Sequence, residues 1–144
     1  MSQLETCELL KECTSGIKMA IDAIDEVIPN VKSPALKNKL ITSKKEHKKL
    51  EEETENFLKQ YREEGKEPGM MAKGMAWMKT NLQMSVNPGD DTIANLMSTG
   101  CDMGVRTLHK ALNDNSDASE GAKALVKKVI KAEEALGKEM QEYL

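Results

Sequence analysis

The chain has 144 residues, of which 31% are charged and only 3% are aromatic, and its formal net charge is −3. An acidic balance with so few rings for base stacking argues against nucleic-acid binding. No apolar stretch approaches the ~18 residues needed to span a bilayer. The first residues lack the basic and apolar runs of a signal peptide, and three cysteines without a CxxC motif fit reduced thiols. We therefore expect one cytoplasmic domain over residues 1–144.

Two helices are predicted in the first half of the chain, at about residues 3–28 and 34–64. Ser2 followed by Glu5 has the pattern of a capping box, and Pro29 ends the first apolar stripe. Ser33 precedes Pro34, which is the favoured order of an N-cap and the first helical position. Gly65 is the expected C-terminal stop of the second helix.

Three further helices are predicted at about residues 68–85, 91–113 and 118–143. The first is short and carries a methionine-rich apolar stripe. Asp90 or Asp91 is the expected cap of the next helix, in which the spacing of Gly100 and Gly104 indicates close helix packing. Asp117 with Glu120 has the pattern of a second capping box.

The lengths of the connections predict how these helices are arranged. The links at residues 29–33 and 114–117 are only a few residues long, which favours antiparallel hairpins. The middle connection, about residues 65–90, is long enough to cross the length of a bundle. The sequence therefore predicts an all-α, ferritin-like four-helix bundle, with two antiparallel hairpins joined by a long crossover that contains a short fifth helix.

A family resemblance rests on two short motifs and several scattered positions. The motifs are Gly65-Lys66-Glu67-Pro68 and Gly100-Cys101-Asp102-Met103-Gly104; the scattered positions are Gly74, Trp77, Lys79, Leu108, Ala111 and Leu112. Together they resemble an uncharacterised group of bacterial ferritin-like proteins, a domain of unknown function. The resemblance implies a four-helix bundle with an extra helix in the crossover and carries no established activity. The wider superfamily includes di-iron oxidases and iron-storage proteins, so the residues must be tested for a metal site.

The usual di-iron ligand set is missing from this sequence. That set needs Glu-x-x-His on two helices, and the motif does not occur. His109 is placed on the outer face of its helix, whereas His47 lies at the centre of an apolar stripe. Glu51 and Glu133 lie within about 40° of the centres of their stripes, so His47, Glu51 and Glu133 could converge on one Fe, Mn or Zn ion. The favoured alternative is a buried hydrogen-bonded network without metal.

The methionines allow two interpretations as well. Met70, Met71, Met75 and Met78 are soft ligands that could suit Cu(I), but their helical spacing favours apolar packing. The exposed side of this helix, with Trp77, is a candidate contact surface for a second copy or another protein. No catalytic residue or organic cofactor is predicted. We expect a bundle that acts by binding or assembly without catalysis, the alternative being a metal-binding iron-handling or oxidase-type protein.

Overall fold

The structure is a computed structural model that describes residues 1–65, 78, 79, 81, 82 and 88–144. The described residues form four long helices: α1 (Gln3–Val27), α2 (Pro34–Lys59), α3 (Asp90–Asp114) and α4 (Glu120–Met140). Single 3₁₀ turns, Ile28–Asn30 and Gln141–Tyr143, follow α1 and α4. The four helices pack together with no strand among the described residues, which confirms the predicted all-α bundle.

The structure confirms two of the four predicted N-caps. The hydroxyl of Ser2 accepts a hydrogen bond from the N–H of Glu5, and that of Ser33 accepts one from Leu36. The prediction of Asp117 was wrong, because Ser119 is the N-cap of α4 and accepts from Ala122. At α3 the cap is Gly89, which offers no side chain, so the prediction of Asp90 or Asp91 was also wrong.

The predicted end of α2 at residue 64 was wrong as well. The α-helix ends at Lys59, and Arg62 adopts a left-handed backbone with a φ of 59°. The N–H of Glu63 bonds to the carbonyl of Leu58, and that of Arg62 bonds to Lys59, which is a Schellman motif with Arg62 at the C′ position. The C′ residue is therefore Arg62, three residues before the predicted Gly65, and it is a non-glycine residue in a conformation that usually favours glycine.

The hydrogen bonds of Asp90 show how the two hairpins are connected. Its carboxylate accepts from the backbone N–H groups of Lys32 and Ser33, at 2.9 and 3.0 Å, so α3 begins at the same end of the bundle as α2. The far end of α2 is marked by the Lys11–Glu63 ion pair, close to the start of α1. Glu63 and Asp90 therefore lie at opposite ends of the bundle, as a crossover between α2 and α3 requires.

Most of the fifth helix predicted over residues 68–85 lies outside the described residues. The four described positions inside that range, Met78, Lys79, Asn81 and Leu82, are helical. Met78 and Leu82 are buried among apolar side chains of α1, α2, α3 and α4. Of the helices that the structure describes, none combines the length and the apolar sequence needed to cross a membrane.

Candidate functional site

The middle of α2 places a histidine in the core of the bundle. Its buried stripe repeats every three or four residues and includes Ser43, His47, Leu50 and Thr54. His47 is fully buried and faces Glu133 of α4, which is only 6% exposed. Both residues therefore lie inside the bundle, as predicted, although neither side chain is apolar.

Hydrogen bonds engage both nitrogens of the imidazole. Nδ1 lies 2.8 Å from the carbonyl oxygen of Ser43, and because a carbonyl can only accept, Nδ1 carries a proton. The hydroxyl of Ser43 lies 3.3 Å from the same nitrogen. Nε2 lies 2.5 Å from Oε1 of Glu133. The ring is thus held at both ends, and its orientation is fixed by α2 on one side and by α4 on the other.

The surroundings of His47 decide its charge. Burial alone would lower the pKa of the imidazole. Glu133 raises it through a hydrogen bond and through its charge, and the backbone carbonyl of Ser43 raises it through a second hydrogen bond. Together these contributions outweigh burial, so the pKa of His47 is raised. Glu46 adds a smaller contribution in the same direction. The raised pKa favours the protonated imidazole, in which Nε2–H donates to Oε1 of Glu133.

A third residue, Cys101 of α3, also reaches the carboxylate. Burial raises the pKa of its thiol, and the charge of Glu133 and a hydrogen bond to that side chain raise it further. The thiol stays protonated and donates to Glu133. In the sequence Cys101 stands out only as a member of the motif from Gly100 to Gly104. Its position between these two glycines, where small residues bring the helices close, was the one signal that pointed to this contact.

We call Ser43, His47, Glu133 and Cys101 the polar layer. It lies between two apolar clusters that together make up the core. One cluster contains Leu50 and Val129 and extends toward the start of α1, whereas the other contains Leu40 and Leu136 and extends toward its end. The polar layer therefore crosses the bundle near its middle and connects α2, α3 and α4.

The third candidate ligand, Glu51, does not join the polar layer. It lies half-buried in a surface depression between α1 and α2, beside Lys18, Asp22 and Lys48. The one-turn spacing from His47 was correct, but the residual rotation of about 40° turns Glu51 toward α1, while His47 faces α4. The predicted convergence of His47 with Glu133 is present, and the predicted convergence with Glu51 is wrong.

The donor atoms at mid-bundle do not fit a metal centre of the ferritin type. Nδ1 of His47 has a proton, and its Nε2 is hydrogen-bonded to the carboxylate that would be the second ligand. Among the described residues, no three side chains of His, Cys, Asp or Glu are grouped so that they could hold an ion. His109, the second histidine, is exposed on α3, as predicted. His47 and Glu133 are therefore joined by a hydrogen bond through the same atoms that would have to bind a metal ion.

Comparisons with known proteins agree with this architecture. The fold is similar to that of a solved structure described as "YcfI, a putative structural protein from Rhodopseudomonas palustris", with a TM-score of 0.67 and 12% identity over 93% of this chain and 88% of that one. No curated protein matches the chain. A family model described as a domain of unknown function, DUF2383, matches residues 5–114. Because this match covers most of the chain, the protein belongs to the DUF2383 family.

Proposed function

We propose that this protein is a non-catalytic helical bundle that acts by binding or assembly. The observation that carries the proposal is the self-sufficiency of the polar layer. His47 donates to Ser43 and to Glu133, and Glu133 accepts from both His47 and Cys101. The buried polar side chains at the centre of the bundle thus satisfy one another, which is how a fold-specifying network is built.

The same bonds remove the chemical roles that these residue types take in enzymes. A general base needs a free lone pair, and both ring nitrogens of His47 are engaged in hydrogen bonds inside the core. A nucleophilic cysteine needs a lowered pKa, and the pKa of Cys101 is raised by burial and by Glu133. The polar layer therefore supports a structural role better than acid–base or thiol chemistry.

For assembly, we propose the methionine-rich crossover around Met75 and Trp77 as the contact surface for a second copy or for another protein. These two residues lie outside the described residues, so the sequence supports this step. The similar YcfI structure is described as that of a putative structural protein, which is in keeping with this step. Methionine and tryptophan are both over-represented in the cores of protein interfaces.

Analytical ultracentrifugation tests assembly directly. We expect the wild-type chain to self-associate with increasing concentration, and the variant Met75→Lys/Trp77→Ser to remain monomeric. Lys45→Ser on the exposed side of α2 is the matched surface control and should behave as wild type. A wild-type chain that is monomeric throughout, or a double variant that associates normally, would exclude self-assembly through the crossover.

A metal-binding function with Fe, Mn or Zn at His47 and Glu133 stays as the second candidate, favoured only by the buried contact of these two side chains. The metal content of protein purified without a chelator tests it. If the wild type holds stoichiometric metal that is lost in His47→Ala and kept in Glu51→Ala, the metal-binding function replaces the non-catalytic proposal. The second candidate is excluded if the purified protein holds no stoichiometric metal and also binds none of these ions on dialysis.

A further inference from the structure

A small cavity lies beside the polar layer, between α1 and α3. Its volume is about 30 Å³, enough for a single ion or for a water molecule or two. Glycines of both helices line it, namely Gly16 from α1 and Gly100 and Gly104 from α3. Because these residues have no side chain, they leave the space that larger residues would fill, and Oε2 of Glu133 lies only 3.5 Å from where a Cβ of Gly104 would be.

The lining of this cavity is rich in sulfur. Among the described residues, four methionines, one cysteine and one carboxylate contribute to it. These sulfur and carboxylate residues are Met19, Met78, Met97, Cys101, Met103 and Glu133. Met97 and Cys101 are one helical turn apart on α3, so their Cβ atoms are roughly 5–6 Å from each other and their sulfur atoms can reach a common ion.

We propose that this cavity is a binding site for a soft monovalent cation, Cu(I), held by Cys101 and by methionine thioethers. Thiolate and thioether sulfur are soft ligands that suit Cu(I). A thiolate also binds Zn²⁺, so the preference for Cu(I) comes from the methionine thioethers that dominate this lining. The site differs from the predicted Fe, Mn or Zn site, because it uses sulfur atoms and leaves the His47–Glu133 hydrogen bond intact. It is also independent of the proposed assembly through the crossover.

The electrostatics of the cavity permit a cation. When Cu(I) binds, the Sγ–H bond of Cys101 breaks, a Cu–S bond forms and the proton leaves to solvent, so the buried charge does not change. The neighbouring carboxyl group of Glu133 already has a hydrogen-bond partner in His47. No electron is transferred in this step. Met103, which is 45% exposed, places a thioether where the cavity meets the surface and provides an entry path for the ion.

The test is anaerobic titration of the full-length, reduced protein with Cu(I) supplied from a chromogenic chelator. We expect one Cu(I) to be taken from the chelator per chain, with the release of one proton, and Zn²⁺ not to compete. Cys101→Ala should abolish uptake and proton release. Met97→Leu should weaken binding by at least about tenfold, the usual effect of even an outer partner of a metal ligand.

Two matched controls separate ligation from packing. Met140→Leu changes a fully buried methionine of the same apolar cluster that does not line the cavity, and Cys13→Ala changes a fully buried cysteine of the other cluster. Both should bind Cu(I) as wild type does, with circular dichroism confirming that all four variants fold. The proposal is overturned if wild type takes no Cu(I) from the chelator or if the controls lose binding equally. It is also overturned if uptake depends on Met70, Met71 and Met75 and not on Met97.

Discussion

Nε2 of His47 and Oε1 of Glu133 lie 2.5 Å apart across the interface of α2 and α4, although 86 residues separate them along the chain. Both side chains are almost completely buried. An ion pair in this setting gains from mutual attraction but loses its hydration, so its net contribution to stability is small while the loss of one partner is costly. The stability of the protein therefore depends on the presence of both partners together more than on either residue alone.

Truncating one partner of this pair should destabilise the protein strongly. We expect His47→Leu or Glu133→Leu to lower the free energy of unfolding by about 3–5 kcal/mol, because each leaves a buried polar group without its partner. The variant with both changes should recover most of this loss, since two apolar side chains can pack against each other. Urea denaturation of all four proteins measures the coupling. Simple additivity of the two losses would contradict an interaction between the side chains.

The charge of His47 predicts how stability depends on pH. The pKa of the folded state is raised above the ordinary 6.5 of the unfolded chain, so the folded protein holds a proton that the unfolded one has released. This contribution is fully present below about pH 6.5 and is lost as the pH rises through the raised pKa. Urea denaturation across that range should show the fall, and His47→Gln should flatten it. Equal slopes in the two proteins would show that other groups cause the fall.

The carboxylate of Asp90 should stabilise the end of the bundle where α2 and α3 begin. It accepts two backbone hydrogen bonds from the link between α1 and α2. We expect Asp90→Ala to lower the free energy of unfolding by about 1–2 kcal/mol, because two N–H groups lose an ionised acceptor near the surface. Asp91→Ala, next in sequence and exposed, is the control and should change it by less than about 0.5 kcal/mol. Similar losses in both variants would point to helix charge as the cause.

A single substitution at the end of α2 should increase stability. Arg62 has a φ of 59° and ends the helix in a conformation that costs an ordinary residue about 1 kcal/mol. Arg62→Gly should recover about that amount and raise the midpoint of thermal unfolding. Arg62→Ala, which keeps a Cβ in the same backbone conformation, should show no such gain. A gain in both variants would assign the effect to the arginine side chain.

Much of the bundle could be predicted from the sequence because local signals and packing agree there. Ser2 and Ser33 cap their helices as expected, and the stripe that contains His47 faces the core. Where signals compete, prediction failed. Asp117 and either Asp90 or Asp91 were expected to cap helices, whereas the structure has Ser119 and Gly89 at these positions. Asp90 instead bonds to a neighbouring segment.

The site was predicted only in part, for a geometric reason. A stripe shows which residues face the core, but it does not show which neighbouring helix each flank of the stripe meets. Glu133 was therefore correctly placed near His47, while Glu51 faces α1. Cys101 was not among the predicted site residues, because the hydrogen bond of a thiol leaves no periodic signal in a sequence.

The polar layer also has a consequence for register. Contacts between apolar side chains allow one helix to shift along another, because one leucine packs much like the next. The two apolar clusters alone would therefore hold α2 and α4 at several relative heights. A shift of one helical turn, about 5.4 Å, would separate His47 from Glu133 and bury two unpaired charges. The α1–α2 hairpin and the α3–α4 hairpin, made as separate polypeptides, should therefore reassemble with α2 and α4 at a single relative height.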